Sequence, residues 1–169
     1  MNIITKTITA YLFFTIINGC SKNKKEINFT VINLKNKQKI GTISATENEY
    51  GVAFKISLTN TEFKKGLHGF HVHEKNSCDD NGKAAGGHLT EASNKDNHSL
   101  PWNKHGHLGD IQNIYIDQEG DSDMHVFSPK LTINDLTNKS LIIHENQDNY
   151  TNTPKLGGSG ARIGCALTK

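Results

Sequence analysis

Hydrophobic and polar residues alternate over short segments of this chain, and no long segment has the periodicity of an amphipathic helix. The run Ile27-Asn28-Phe29-Thr30-Val31 is typical, because every second side chain is apolar and would point to the same face of a strand. We predict eight strands, at residues 27–31, 40–45, 54–58, 67–74, 113–117, 124–127, 140–144 and 161–167. Turn residues separate many of them, as at 48–51 and 119–121. Many short strands with frequent turns predict an all-β protein, an antiparallel sandwich or barrel.

Two stretches interrupt this pattern, at residues 75–110 and 145–160. Loops of this length inside a compact domain are usually functional or disordered. Histidines flank or fill both loops, and bound metal ions can order loops that have no hydrophobic core of their own. We therefore expect both to be functional.

The N-terminus is expected to lie outside the folded domain. Residues 7–17 form an apolar run that is short for a membrane span, and it leads into Ile17-Asn18-Gly19-Cys20. This end resembles a bacterial lipoprotein signal, which predicts a signal peptide at 1–19, a lipidated Cys20 with a tether at 20–25, and a domain at 26–169. The localisation would be the bacterial periplasm, with the lipid as the only membrane contact. The alternative is a plain signal peptide that is cut nearby.

Chain length and net charge indicate the number of domains and argue against nucleic acid as a partner. A chain of 169 residues fits one domain beyond its export signal. The formal net charge is +2 and falls to +1 once residues 1–19, which contain Lys6, are removed. No strongly basic patch indicates binding to nucleic acid.

Export changes the interpretation of the two remaining cysteines, Cys78 and Cys165. Disulfides persist outside the cytosol, so an even number of cysteines in an exported domain favours a disulfide between them. Metal ligation and free thiols are the alternatives.

His71 and His73 lie in the apolar run Gly69-Phe70-His71-Val72-His73-Glu74. On a strand they would point to the same face, with Cα atoms ~6.5–7 Å apart, so both imidazoles could bind one ion. Together with His144 they offer three neutral imidazoles, a set that suits copper.

A second set, His88, His98, His107 and Asp110, follows within the first long loop. Three imidazoles and a carboxylate can form a closed, four-coordinate zinc site. The alternative is that an asparagine-rich loop carries histidines that are simply solvated.

Several segments share a family resemblance. They are Gly66-Leu67-His68-Gly69-Phe70-His71-Val72-His73-Glu74, Gly86-Gly87-His88, His107-Leu108-Gly109-Asp110, Ser140-Leu141-Ile142-Ile143-His144-Glu145 and Gly157-Gly158-Ser159-Gly160-Ala161-Arg162-Ile163-Gly164-Cys165. In this order they resemble the signatures of the copper/zinc superoxide dismutases, in particular the bacterial periplasmic branch. The residues Ser99-Leu100-Pro101-Trp102 after His98 depart from the family pattern, which more often has a glycine there.

The resemblance implies an eight-stranded antiparallel Greek-key β-sandwich or barrel, immunoglobulin-like in architecture, with a copper ion and a zinc ion. The implied copper ligands are His71, His73, His88 and His144, and the implied zinc ligands are His88, His98, His107 and Asp110. It also implies that His88 bridges the metals and takes part in catalysis, that Arg162 lies beside copper, and that Cys78 and Cys165 form a disulfide. Asp148 is expected to link ligands of the two metals, His68 to be structural, and His105 and His125 to lie on the surface.

The implied activity is dismutation of superoxide, with copper changing oxidation state and zinc remaining structural. An exported protein that stores copper and zinc without turnover is the alternative, and a lipid-tethered interaction module is a more remote one. Arg162 argues against storage, since storage does not need a cation beside the metal. The chain would be a monomer or a homodimer.

Overall fold

A computed structural model describes residues 25–168, and all statements below concern these residues. The predicted signal peptide, Cys20 and nearly all of the tether lie outside them. The strands are β1 Glu26–Asn33, β2 Lys39–Asn48, β3 Gly51–Leu58, β4 Gly66–His68, β5 Phe70–His73, β6 Ile114–Ile116, β7 Ser122–Ser128, β8 Ser140–His144 and β9 Arg162–Thr168. Short 3₁₀ segments are found at Lys83–Ala85, Ala92–Asn94, Ile133–Leu136 and Lys155–Gly158. None of the described helices is long and apolar enough to cross a bilayer.

Seven strands form one antiparallel sheet in the order β5-β8-β9-β1-β2-β3-β7, and β4 pairs with β6 in a second sheet. Alternation predicted from the sequence is visible in β3, where Val52, Phe54, Ile56 and Leu58 are buried and the residues between them are not. These side chains pack with those of β1 and β2 into the main apolar core. The predicted all-β, antiparallel fold class is therefore confirmed.

The number of strands differs from the prediction, because the run at 67–74 is divided at Gly69. β4 pairs with β6, whereas β5 pairs with β8, so the chain changes partner within one residue. At the break, the Gly69 N–H donates to the Asn146 carbonyl, and the Gly69 carbonyl accepts from the His144 N–H, both at 2.8 Å. A Cβ at Gly69 would lie 2.8 Å from the Ser159 Oγ, so glycine permits this close approach.

The first long loop, between β5 and β6, covers the edge of β5 that is not paired with β8. The Val72 N–H donates to the Gly109 carbonyl at 3.0 Å, and the Leu89 N–H donates to the Val72 carbonyl at 2.8 Å. Two isolated bridges extend this pairing, His71 with Asp110 and His73 with His88. The loop therefore behaves as a broken strand against β5.

A disulfide between Cys78 and Cys165 ties the same loop to β9. The two cysteines are 87 positions apart, so the bond restricts a large part of the unfolded chain. Cys165 and its neighbours Leu34, Ala85 and Ile142 form a second, smaller buried cluster around it. The predicted disulfide is confirmed.

We expect Gly109→Ala to destabilise the fold by roughly 1–3 kcal/mol, the usual range for overpacking a tight contact. A Cβ there would lie 2.3 Å from the Val72 carbonyl oxygen and would push the loop away from β5. Gly87→Ala is the matched control, since its nearest neighbours are 3.7 Å away. Denaturant unfolding of both metal-free variants measures the difference; equal loss of stability in the two would contradict the role of this contact.

Candidate metal centre

Four buried histidines meet where β5, β8 and the first long loop come together. His71 and His73 lie on β5, His144 ends β8 and His88 lies on the loop. One ring nitrogen from each lies within 4.8 Å of those of the other three. The structure therefore brings together all four histidines that the sequence analysis assigned to copper.

Three ring nitrogens in this cluster make no hydrogen bond to any described residue: His71 Nδ1, His73 Nε2 and His144 Nε2. In each case the opposite nitrogen has a partner, namely Asp148 Oδ2 at 2.7 Å, the Gly86 carbonyl at 3.1 Å and the Gly160 carbonyl at 3.4 Å. Leaving a buried polar atom unpaired costs about 1–3 kcal/mol. A metal ion that accepts these lone pairs would remove this cost, so the donor set fits a metal.

The electrostatics of the cluster favour the neutral form of three of its rings, those of His73, His88 and His144, as metal ligation requires. Burial, followed by the charges of His88 and His144, holds the pKa of His73 well below its ordinary value. Burial, followed by His71 and His88, does the same for the pKa of His144. Burial and His71 lower the pKa of His88 to about 3, although Asp110 opposes this shift.

A second cluster surrounds the carboxylate of Asp110. The Nδ1 atoms of His88 and His98 lie 2.9 Å from Asp110 Oδ1, and the Nδ1 of His107 lies 3.3 Å from it. Burial raises the pKa of Asp110, but its close contacts with the imidazoles of His107, His88 and His98 outweigh burial and hold this pKa far below its ordinary value. Three imidazoles around an ionised carboxylate fit a four-coordinate zinc ion.

His88 belongs to both clusters. Its Nδ1 faces Asp110, and its ring stacks on that of His71 with centroids 4.0 Å apart. This leaves Nε2 as the ring nitrogen available to the first cluster. A single imidazole can therefore contact an ion on each side, which is the bridging arrangement expected from the sequence.

Asp148 connects the two clusters through a second pair of contacts. Its Oδ2 lies 2.7 Å from His71 Nε2, and its Oδ1 lies 2.9 Å from His98 Nε2. Burial raises the pKa of Asp148, but the hydrogen bonds from His71 and His98 prevail and lower it. Burial lowers the pKa of His98, yet its hydrogen bonds with Asp110 and Asp148 raise it to about 9. Carboxylates in this position orient the rings of metal ligands.

Arg162 begins β9 and lies across a β-bulge from His144. Its guanidinium donates to the carbonyl oxygens of Gly82 and Gly86, in the loop that the disulfide closes. The same Gly86 carbonyl contacts the ring of His73. A fixed cation is thus held next to the first cluster, and its charge contributes to lowering the pKa values of His73 and His144.

The remaining histidines lie as the sequence analysis expected. His68 is buried, with Nδ1 2.7 Å from the His144 carbonyl and Nε2 2.7 Å from the Lys64 carbonyl, so it supports the backbone of β8. His105 and His125 are exposed.

Sequence reasoning missed two residues that hold Asp148 in place. The amide side chain of Asn113 bonds both backbone groups of Asp148 at 2.9 Å, and Gly157 passes so close that a Cβ there would overlap Asp148 Oδ1. The Gly157-Gly158 pair was a usable signal, because paired glycines often mark a close backbone approach. No sequence signal marked Asn113, because its partner Asp148 is 35 positions away.

Comparison with known proteins agrees with this geometry. Residues 39–168 match the copper/zinc superoxide dismutase family. The chain is 39% identical over 145 residues to "Superoxide dismutase [Cu-Zn]" of Pasteurella multocida, covering 80% of this chain and 76% of the relative. It is 34% identical over 168 residues to the protein of the same name from Photobacterium leiognathi, covering 92% and 95%.

Among solved structures, the copper/zinc superoxide dismutase from Brucella abortus superimposes with a TM-score of 0.76 at 28% identity. The match covers 86% of this chain and all of the other. A superoxide dismutase-like protein from Bacillus subtilis superimposes with a TM-score of 0.69 at 29% identity, covering 84% and 97%. On the family match and the identity to these relatives, the chain belongs to the copper/zinc superoxide dismutase family.

Proposed function

We propose that the two clusters hold the two metals of a superoxide dismutase. Copper would be bound by His71, His73, His88 and His144, and zinc by His88, His98, His107 and Asp110. An all-imidazole set suits copper, whereas three imidazoles with one carboxylate form a typical zinc set. The observation that carries the assignment is the set of three buried, unpaired ring nitrogens that converge beside His88.

The overall reaction converts two superoxide anions and two protons into dioxygen and hydrogen peroxide. Bound copper supplies the one-electron oxidation and reduction that the reaction needs. The residues of this chain attract the anion, hold the metal ligands in place and handle protons. Zinc, with no redox chemistry of its own, is structural.

Arg162 provides a fixed positive charge and hydrogen-bond donors beside the first cluster. Because its guanidinium is already bonded to two backbone carbonyls, its position is set before any substrate arrives. A preorganised cation of this kind stabilises an anion at little reorganisation cost.

His88 is suited to deliver a proton to the product. The contact between its Nδ1 and the Asp110 carboxylate fixes the ring, so the ring stays in place while Nε2 gains or loses a proton. Asp148 bonds His71 through one carboxylate oxygen and His98 through the other, and so fixes the orientation of both rings near His88.

Storage of copper and zinc without turnover is the competing function. It would need the ligands but not Arg162, whose guanidinium is held beside the first cluster. The relatives that match most of the chain are named as superoxide dismutases, which also favours catalysis.

The protein loaded with copper and zinc should consume superoxide catalytically, and His144→Ala should abolish most of this activity by removing one copper ligand. The measurement is the decay of superoxide after pulse radiolysis, with copper and zinc content determined for both proteins. A fully metallated wild type without catalysis would refute the enzymatic function and leave storage in its place.

Arg162→Ala should slow superoxide consumption on the order of tenfold or more, because the local field that attracts the anion is lost. Copper and zinc content should be unchanged. Arg162→Lys should retain part of the rate. Lys55→Ala removes an exposed cation on β3 and should retain the full rate. An unchanged rate in Arg162→Ala would exclude a role for this residue in attracting substrate.

We further propose that the mature protein is a periplasmic lipoprotein of a bacterium, anchored through Cys20 after removal of residues 1–19. The apolar run at 7–17 and the Gly19-Cys20 junction support this. The Cys78–Cys165 disulfide supports export from the cytosol.

Cys20→Ser should release the protein from the membrane fraction of expressing bacteria into the soluble fraction. Mass spectrometry of the wild type should show a lipid on an N-terminal cysteine. An unlipidated wild type, or a Cys20→Ser protein that stays with the membrane, would contradict the anchor.

A further inference from the structure

Lys130 is a half-buried lysine whose contacts are with backbone carbonyls of the first long loop. It follows β7, and its ammonium donates to the carbonyl oxygen of His107 and, at 3.4 Å, to that of Asn103. The ion pairs found among residues 25–168 each join a histidine to an aspartate, and none involves this lysine. Partial burial of an ammonium is unfavourable unless its donors are used, so these contacts define where the side chain lies.

The carbonyl that Lys130 binds belongs to one of the residues assigned to zinc. The other polar groups of His107 are also fixed: its N–H donates to the Asn97 carbonyl at 3.1 Å, and its Nε2 lies 3.0 Å from the Lys95 carbonyl. The Nδ1 is thereby left facing Asp110 at 3.3 Å. Asn97 and Lys95 lie in the same loop, whereas Lys130 lies beyond β7 and ties His107 to the sheet.

This tether matters because the loop has little structure of its own. Between residues 90 and 110 its regular structure, in the described chain, is one short 3₁₀ segment, Ala92–Asn94. A segment of this kind holds its shape mainly through contacts with the rest of the fold. Lys130 supplies such a contact at the ligand itself.

We propose that Lys130 is a positioning residue for the zinc site, which holds the backbone of His107 so that its imidazole faces Asp110. This inference rests on the proposed assignment of zinc to His88, His98, His107 and Asp110. Charge alone would act in the opposite direction, since an ammonium repels a zinc ion. The direction of the effect therefore separates positioning from electrostatics.

Lys130→Met tests the proposal, because methionine keeps an unbranched stem but has neither charge nor donors. We expect its zinc dissociation constant to rise roughly 10- to 100-fold, as is typical when a residue that orients a metal ligand is lost. Lys130→Arg, which retains donors and charge, should recover part of the affinity. Lys55→Met, an exposed lysine on β3, controls for the change in net charge.

Zinc affinity is measured by competition between the metal-free protein and a chromophoric zinc chelator. Thermal unfolding of the metal-free and zinc-loaded forms gives a second readout, since at a fixed zinc concentration the midpoint rises with the logarithm of the zinc affinity. In Lys130→Met, zinc should raise the midpoint of thermal unfolding by less than it does in Lys55→Met. The midpoints of the two metal-free variants should be similar.

Three results would overturn the proposal: equal zinc affinity in Lys130→Met and Lys55→Met, tighter binding in Lys130→Met, or an equal loss of midpoint with and without zinc. The last would make Lys130 a general support of the fold. The zinc assignment itself is tested separately by His107→Ala. If that variant binds zinc like the wild type, the assignment fails, independently of Lys130.

Discussion

The metal centre depends on the way in which the free edge of β5 is covered. One side of β5 pairs with β8 in the usual manner, and the other side is paired with loop segments through Val72, Leu89 and Gly109. An exposed strand edge usually invites non-specific pairing, and here the loop removes that edge. The same pairing brings His88 and Asp110 opposite His73 and His71, so backbone hydrogen bonds assemble ligands that are distant in sequence.

Burial and neighbouring side chains together set the protonation states of several of these ligands. In the first cluster they keep His73 and His144 neutral, with lone pairs that no described group satisfies. In the second cluster three imidazoles keep Asp110 ionised. The metal-free fold therefore leaves buried polar atoms without partners. A cation that prefers nitrogen ligands would bind these atoms and remove their unfavourable free energy. Binding free energy of this origin adds directly to the stability of the folded protein.

Alternation is a local pattern, so the sequence was sufficient to predict most of the strands. The complete ligand sets, with His88 in both, followed from the family resemblance. The sequence could not show that Gly69 divides one apolar run between two sheets, since the alternation continues on both sides of it. It also could not identify Asn113 or Lys130. Each acts on a residue at least 23 positions away, and neither lies in a motif that distinguishes it from other polar residues.

The carbonyl of Gly86 has a consequence for how this enzyme can change. It accepts a hydrogen bond from Arg162 and also lies 3.1 Å from the ring of His73. The ring of a proposed copper ligand and the guanidinium proposed to attract the substrate anion are thus both held by the same carbonyl oxygen. A substitution that shifts this carbonyl would alter the electron-transfer properties and the substrate preference together. To change one property without the other, either His73 or Arg162 would first need a different hydrogen-bond partner from the Gly86 carbonyl.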